Sequence, residues 1–163
     1  MYRKEFQAEK GVKKATVYAT ALGIYEMEIN GAKVSEDLFN PGWTNYELNQ
    51  DDNNYVMYQT FDVTDMIREG TNVIGAVTGH GWYSGKLFVG GNNRYGKGSK
   101  FLAELQIEYQ DGSKAIISTD ESWKISGTGP ILEDDFQNGE TYDARKEKAG
   151  WSKAGYKEDS SWR

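Results

Sequence analysis

Apolar and polar residues alternate with a period of two along most of this chain, and Asn-Gly and Asp-Gly pairs join the alternating runs. Ala15, Val17 and Ala19 alternate with Thr16, Tyr18 and Thr20. Tyr25, Met27 and Ile29 alternate with Glu26 and Glu28, after which Asn30-Gly31 turns into Lys33-Val34. Leu105, Ile107 and Tyr109 alternate with Glu104, Gln106 and Glu108, and Asp111-Gly112 leads into Ala115-Ile116-Ile117. Successive side chains of a strand point to opposite faces, so this period puts one face of each run in a core and the other in water. Asn-Gly and Asp-Gly supply the positive-φ residues that a tight hairpin needs. Residues 56–63 read as a further strand. Helix is confined to residues 64–69, with Thr64 as N-cap, Asp65 in the first turn and Gly70 as the stop. Many short strands separated by turn residues predict an all-β fold, a β-sandwich or jelly roll.

At 163 residues the chain has the size of one domain with a sizeable core. Apolar residues make up only 37%, but aromatics reach 13%, with 5 Trp and 11 Tyr. The core is therefore expected to be built from rings and β-branched residues. A net charge of -6 argues against a nucleic-acid partner, which calls for a basic face, and favours a neutral ligand over a polyanion. No apolar run approaches the roughly 20 residues that span a bilayer. The opening Met1-Tyr2-Arg3-Lys4 carries no signal-peptide pattern, which leaves the compartment open. Without cysteine there are no disulfides, thiol nucleophiles or thiolate zinc sites. The single histidine, His80, excludes a two-His metal site within the chain. A Ser-His-Asp triad would have to run through it, with no Gly-x-Ser-x-Gly elbow to support one.

Chemistry concentrates in four segments. Gly79-His80-Gly81-Trp82-Tyr83-Ser84-Gly85 follows a strand-like run and reads as a loop. Its rings either face outward as a platform for a ligand, sugars in particular, or fold in to cap a sheet edge. Asn49-Gln50-Asp51-Asp52-Asn53-Asn54 crowds the hard oxygen donors that calcium prefers, without EF-hand spacing; the alternative is a solvated turn. Residues 133–145 hold Glu133, Asp134, Asp135, Glu140 and Asp143 with Arg145. Glu140 and Asp143 can be tried as a glycoside-hydrolysing pair, or the segment is a loop in which Arg145 pairs with Asp143 or Glu140. Gly90-Gly91-Asn92-Asn93-Arg94-Tyr95-Gly96-Lys97-Gly98 is neither a P-loop nor a dinucleotide fingerprint and reads as a surface loop. The last dozen residues, from Ser152, read as an edge strand or the start of a linker, and the stop at Trp162-Arg163 suggests a piece of something longer.

In order along the chain, Arg3-Lys4-Glu5-Phe6, Gly23-Ile24-Tyr25-Glu26, Ile29-Asn30-Gly31 and Asn40-Pro41-Gly42-Trp43-Thr44-Asn45-Tyr46 lead to Tyr58-Gln59-Thr60-Phe61-Asp62-Val63-Thr64. Gly79-His80-Gly81-Trp82-Tyr83, Gly139-Glu140-Thr141-Tyr142-Asp143-Ala144-Arg145 and Gly150-Trp151 follow. Together these segments resemble the N-terminal β-sandwich domain of bacterial α-L-rhamnosidases over essentially the whole chain. Position 80 departs from the pattern, with His where an acidic residue is usual. The resemblance implies a jelly-roll sandwich of galactose-binding-like type, spanning residues 1–163 as one accessory domain of a larger glycosidase. It also implies an (α/α)6 catalytic barrel elsewhere in the polypeptide that carries the hydrolytic acid and base, so that this piece is not itself an enzyme. Some domains of this kind bind terminal L-rhamnose through calcium; others are structural and pack against the barrel. On the binding reading, Trp82, His80, Tyr83, Trp43, Asn138 and Glu140 would contact the rhamnose-containing glycan. Asp51, Asp52 and Asn53 would hold the calcium.

Overall fold

The computed structural model describes residues 1–46 and 55–163. Eleven strands are found among them: β1 (Tyr2–Ala8), β2 (Val12–Leu22), β3 (Ile24–Ile29), β4 (Ala32–Lys33), β5 (Gln59–Asp62), β6 (Gly70–Gly79), β7 (Lys100–Tyr109), β8 (Lys114–Ser118), β9 (Lys124–Ile125), β10 (Ile131–Asp135) and β11 (Gly139–Tyr142). A five-stranded sheet runs β4-β3-β6-β1-β9 and a four-stranded sheet runs β5-β2-β7-β8, with antiparallel pairing throughout. β10 and β11 form a separate hairpin. The arrangement is a jelly-roll β-sandwich.

The alternation sorts the side chains as the sequence requires. Ala15, Val17, Ala19 and Ala21 of β2 face Ala103, Leu105, Ile107 and Tyr109 of β7 in the core, and Tyr25, Met27 and Ile29 of β3 join Phe6, Ile74 and Ala76. Rings and β-branched residues are present, as expected, but six alanines line the same interior. In the central β2–β7 pair these small side chains alternate with Val17, Leu105 and Ile107, which are among the largest fully buried residues. Asn30 and Gly31, both at positive φ (53° and 81°), join β3 to β4. The Asp111-Gly112 turn joins β7 to β8, closed by the Gly112 N–H donating to the Tyr109 carbonyl at 3.0 Å.

Four expectations change. The strand expected over residues 56–63 shortens to β5, because its first residues leave the ladder. In place of a helix over residues 64–69 there is one 3-10 turn, Thr64–Met66, capped at Val63. The Thr64 hydroxyl, expected to cap that helix, instead bonds Asp62 Oδ1 at 2.6 Å and accepts from the Ala15 N–H at 3.0 Å, tying the turn to β2. Residues 133–145, read as a loop, contain the β10–β11 hairpin. The last dozen residues form turns that wrap the five-stranded sheet, meeting its edge where Ile125 of β9 and Arg163 exchange N–H to carbonyl bonds at 2.9 and 3.1 Å, beside the bridge from Ser126 to Trp162.

The wrap is fastened by a buried cation. Arg3, 3% exposed, pairs with Glu158 and donates through Nε to the Trp151 carbonyl at 2.9 Å, while its guanidinium lies over the Tyr156 ring. Asn72, fully buried, acts similarly at the opposite end of the sandwich. Its amide donates to the carbonyls of Arg68 and Gly70 and accepts from Asn30. Buried polar groups must be matched in this way, because an unpaired one costs about 1–3 kcal/mol.

Candidate functional site

β6 ends at Gly79, and residues 80–99 cross from it to β7 at the same end of the sandwich as the β2–β3 turn at Gly23. Residues 79–85, expected to be a loop, form one helical turn, α1 (Gly81–Ser84), with His80 as N-cap. Gly81 has φ +50°, and a Cβ there would lie 2.8 Å from Ile24. Only glycine lets this turn sit so close to the start of β3.

The β10–β11 hairpin holds that turn in place through two neighbouring carboxylates. Asp134 Oδ1 accepts the His80 N–H at 2.7 Å and lies 2.6 Å from His80 Nδ1. Asp135 Oδ2 accepts the Lys86 N–H at 2.6 Å, and its Oδ1 accepts the Gln137 and Asn138 N–H groups at 2.8 and 2.9 Å. Burial pushes the Asp135 carboxyl up, but the backbone donors of Lys86, Asn138 and Gln137 outweigh it and hold it below the usual carboxylate range. Charged acceptors on backbone N–H groups are among the stronger hydrogen bonds in proteins.

The aromatics divide into two clusters. Trp82 stacks on Phe136 at the hairpin tip, with ring centroids 4.3 Å apart and planes 30° from parallel, and Phe39 meets Phe136 edge-on at 5.2 Å. Tyr83 turns the other way and meets Tyr46 at 5.2 Å; Tyr46 in turn meets Tyr95 at 5.2 Å. Burial raises the Tyr46 hydroxyl pKa, with Tyr95 and Tyr83 adding to the effect. Among the described residues, the buried Tyr46 Oη and Ser84 Oγ find no hydrogen-bond partner.

Between the first cluster and the hairpin lies a cleft of about 310 Å³, walled by Ile24, Phe39 and Phe136 and by the carboxylates of Asp134, Asp135 and Glu140. Ring faces beside acidic acceptors suit a small polyhydroxyl ligand, because the rings cover C–H surface while the carboxylates accept O–H donors. Of the residues expected from sequence, His80, Trp82, Asn138 and Glu140 gather around this hairpin. Asn138 Oδ1 is 3.5 Å from Lys86 Nζ, and Glu140 stands opposite Asp134 in the β10–β11 ladder. Tyr83 belongs to the tyrosine cluster. Trp43 lies on the separate segment 40–46, whose Asn40 bridges Tyr25, and is 53% exposed. Asp51, Asp52 and Asn53 lie outside the described residues. Among the described residues no group of three or more His, Cys, Asp or Glu side chains could hold a metal ion.

Sequence reasoning did not single out Asp134, Asp135, Phe136 or Phe39 as parts of this site. A signal for the first three was present. Asn138-Gly139 follows an apolar–acidic run as Asn30-Gly31 follows β3, and Gly139 has φ 88°. The acid-pair alternative fares differently. Arg145 grips Asp143 with two bonds, Nε to Oδ1 at 2.8 Å and Nη2 to Oδ2 at 2.9 Å, and lowers its carboxyl pKa. This is the Arg145–Asp143 pairing of the alternative reading of the segment.

Over residues 10–163 the chain matches the α-L-rhamnosidase N-terminal domain family, and it belongs to that family. It is 43% identical over 161 residues to an α-L-rhamnosidase of Streptomyces avermitilis, covering 98% of this chain and 15% of the relative. The crystal structure of a Streptomyces avermitilis α-L-rhamnosidase complexed with L-rhamnose superposes with a TM-score of 0.91 at 42% identity, covering 99% of this chain and 15% of that one. Native α-L-rhamnosidase from Aspergillus terreus gives 0.87 at 42% identity, with 96% of this chain and 18% of that one covered. The chain therefore corresponds to a small N-terminal part of its relatives, spanning 15% to 17% of the curated ones.

Proposed function

We propose that this chain is a non-catalytic carbohydrate-binding accessory domain of an α-L-rhamnosidase, recognising terminal L-rhamnose. The observation that carries the reading is the loop-end cleft. It joins the exposed faces of Phe39 and Phe136 to the acceptors Asp134 and Glu140 in a domain whose relatives are rhamnosidases, one of them solved with L-rhamnose. The rings would cover the apolar face of the sugar, with Trp82 holding Phe136 from behind. Glu140 would accept hydroxyl donors, and the His80–Asp134 pair would fix the wall opposite. The non-catalytic part of the reading is supported by the bidentate Arg145–Asp143 pair, which occupies both oxygens of one of the two candidate acids.

Calcium is part of the proposal only through Asp51, Asp52 and Asn53, whose oxygens suit it by type. The described acids do not make a calcium site, so no step of recognition is derived through the ion. Isothermal titration of the chain with L-rhamnose, with calcium and then with EDTA, tests both parts. Heat of binding in both conditions supports the cleft and removes calcium; heat only with calcium supports both. No heat in either condition overturns the binding reading.

A second reading is a structural domain that packs on the catalytic barrel of the parent polypeptide. It is favoured by apolar side chains outside the lining of the cleft that stand in water, Phe88 at 82% and Val89 at 105% exposure in the turn Phe88–Gly90. Side chains so placed are suited to contact with another surface. Rhamnose binding by the isolated chain separates the two readings.

A further inference from the structure

We infer that the chain holds a second carbohydrate site, adjoining the loop-end cleft, that takes the sugar residues next to the terminal one; this rests on the carbohydrate-binding reading. The ridge formed by His80-Gly81 and Asp134 is shared by two cavities. On the Gly81 side lies the loop-end cleft, and on the His80 side lies a cleft of about 850 Å³, with Asp134 lining both. The larger cleft runs between the outward side of β3 and β6, the β10–β11 hairpin and the segment 147–153. Its volume is within the roughly 300–1,000 Å³ of ordinary ligand sites.

Two rings wall this cleft. Trp151 lies against the backbone of β6 at Gly75, where a Cβ would come within 2.4 Å of the indole. The indole is fixed further by the Trp151 carbonyl, which accepts from buried Arg3. Tyr142, 50% exposed, is steadied by its hydroxyl donating to Glu147 at 2.6 Å. Rigid rings of this kind supply contact area at little entropic cost.

The polar lining selects the ligand class. Glu28 and Glu133 each already accept one bond from the protein, from Ser152 and Thr141, and Asp134 meets His80 at both its N–H and its Nδ1 through Oδ1 alone. An ionised carboxylate has about four acceptor positions, so each keeps capacity for further O–H donors. Lys148, on the same wall, is paired with Asp159 at 2.7 Å. Four carboxylates, Glu28, Glu133, Asp134 and Glu147, outnumber Lys148 and Lys153 in the lining and disfavour an anionic ligand, while hydroxyl donors satisfy them. A neutral polyhydroxyl chain is the ligand that fits, and a shared Asp134 wall lets one chain occupy both clefts.

The test is calorimetry on this chain with L-rhamnose and with a neutral rhamnose-terminated trisaccharide, together with the indole N–H resonance of Trp151. The trisaccharide is expected to bind about tenfold tighter or better, a gain of about 1.4 kcal/mol, and to move the Trp151 signal, which L-rhamnose leaves in place. Tyr142→Ala is expected to bring the trisaccharide down to the affinity of L-rhamnose without changing the latter. Tyr142→Phe, which keeps the ring, should retain most of the gain. Equal affinities for both sugars, or a Trp151 signal that the trisaccharide does not move, overturns the second site while leaving the first. Failure of both sugars to bind overturns the carbohydrate reading and this inference with it.

Discussion

The two ends of this sandwich are ordered by different means. At the end bearing Asn30-Gly31 and Asp111-Gly112, positive-φ residues turn the chain from local sequence; Gly112 closes its turn on nearby Tyr109, and Asn30 adds bonds to Met66, Asn72 and Val73. At the loop end, the turn after β6 is held by carboxylates more than forty residues away, from Asp134 to His80 and from Asp135 to Lys86. A local turn forms whenever its strands pair. A turn clamped by a distant hairpin forms only when that hairpin docks. Rigidity at the proposed binding end is therefore conditional on the hairpin, whereas at the other end the turns are specified by local sequence and the Asp111-Gly112 turn is closed locally.

Substitutions can break this contrast in graded steps. Leu105→Ala, at a position with no exposure, removes core contacts common to both ends and should cost about 3–4 kcal/mol; chemical denaturation measures it, as one cooperative loss. Arg3→Met leaves Glu158 and the Trp151 carbonyl unpaired and should cost about 2–3 kcal/mol, with amide exchange quickening first in residues 148–162. Asp135→Asn turns one acceptor into a donor facing backbone N–H groups and should cost about 1–2 kcal/mol. Its signature is local: the Lys86 amide loses protection while the amides flanking Gly31 do not. Equal loss at both ends would erase the contrast.

The smallest effect is a pH dependence. Lys148 and the Ser161 hydroxyl and N–H together lower the Asp159 carboxyl to about 2, against roughly 3.9 in an unfolded chain. A depressed carboxyl contributes stability that is present above the unfolded value and is lost as pH falls through the folded one. The wrap should thus loosen between about pH 4 and pH 2. Asp135, also lowered, makes the loop end weaken in acid in the same direction. A carbon-detected NMR titration of Asp159 checks the midpoint, and a value near 4 contradicts the pairing with Lys148.

What was legible in the sequence follows the same division. β2, β3 and β7 could be read because period-two alternation is a statement about one strand and its two faces, and their turns carry their own signals. The helix expected at residues 64–69 failed because Thr64 had a better partner in β2, which no local pattern announces. The β10–β11 hairpin had a local signal in Asn138-Gly139, obscured by the run of acids before it. The acids themselves are there to bind N–H groups of another segment. Arg3 and Asn72 are buried pins that no local pattern announces, since their partners lie far along the chain or across a turn. The wrap of the last dozen residues could not be read for the same reason, being fastened by Arg3 rather than by any pattern of its own.

The central claim is that sugar binds at the conditional, hairpin-clamped end. A ¹H–¹⁵N map recorded during titration with L-rhamnose tests it most directly. Shifts are expected to concentrate at His80, Trp82, Phe136, Asn138 and Glu140, with residues 30–33 and 110–113 unmoved. Saturable shifts centred at the far end, or none anywhere, would contradict the account.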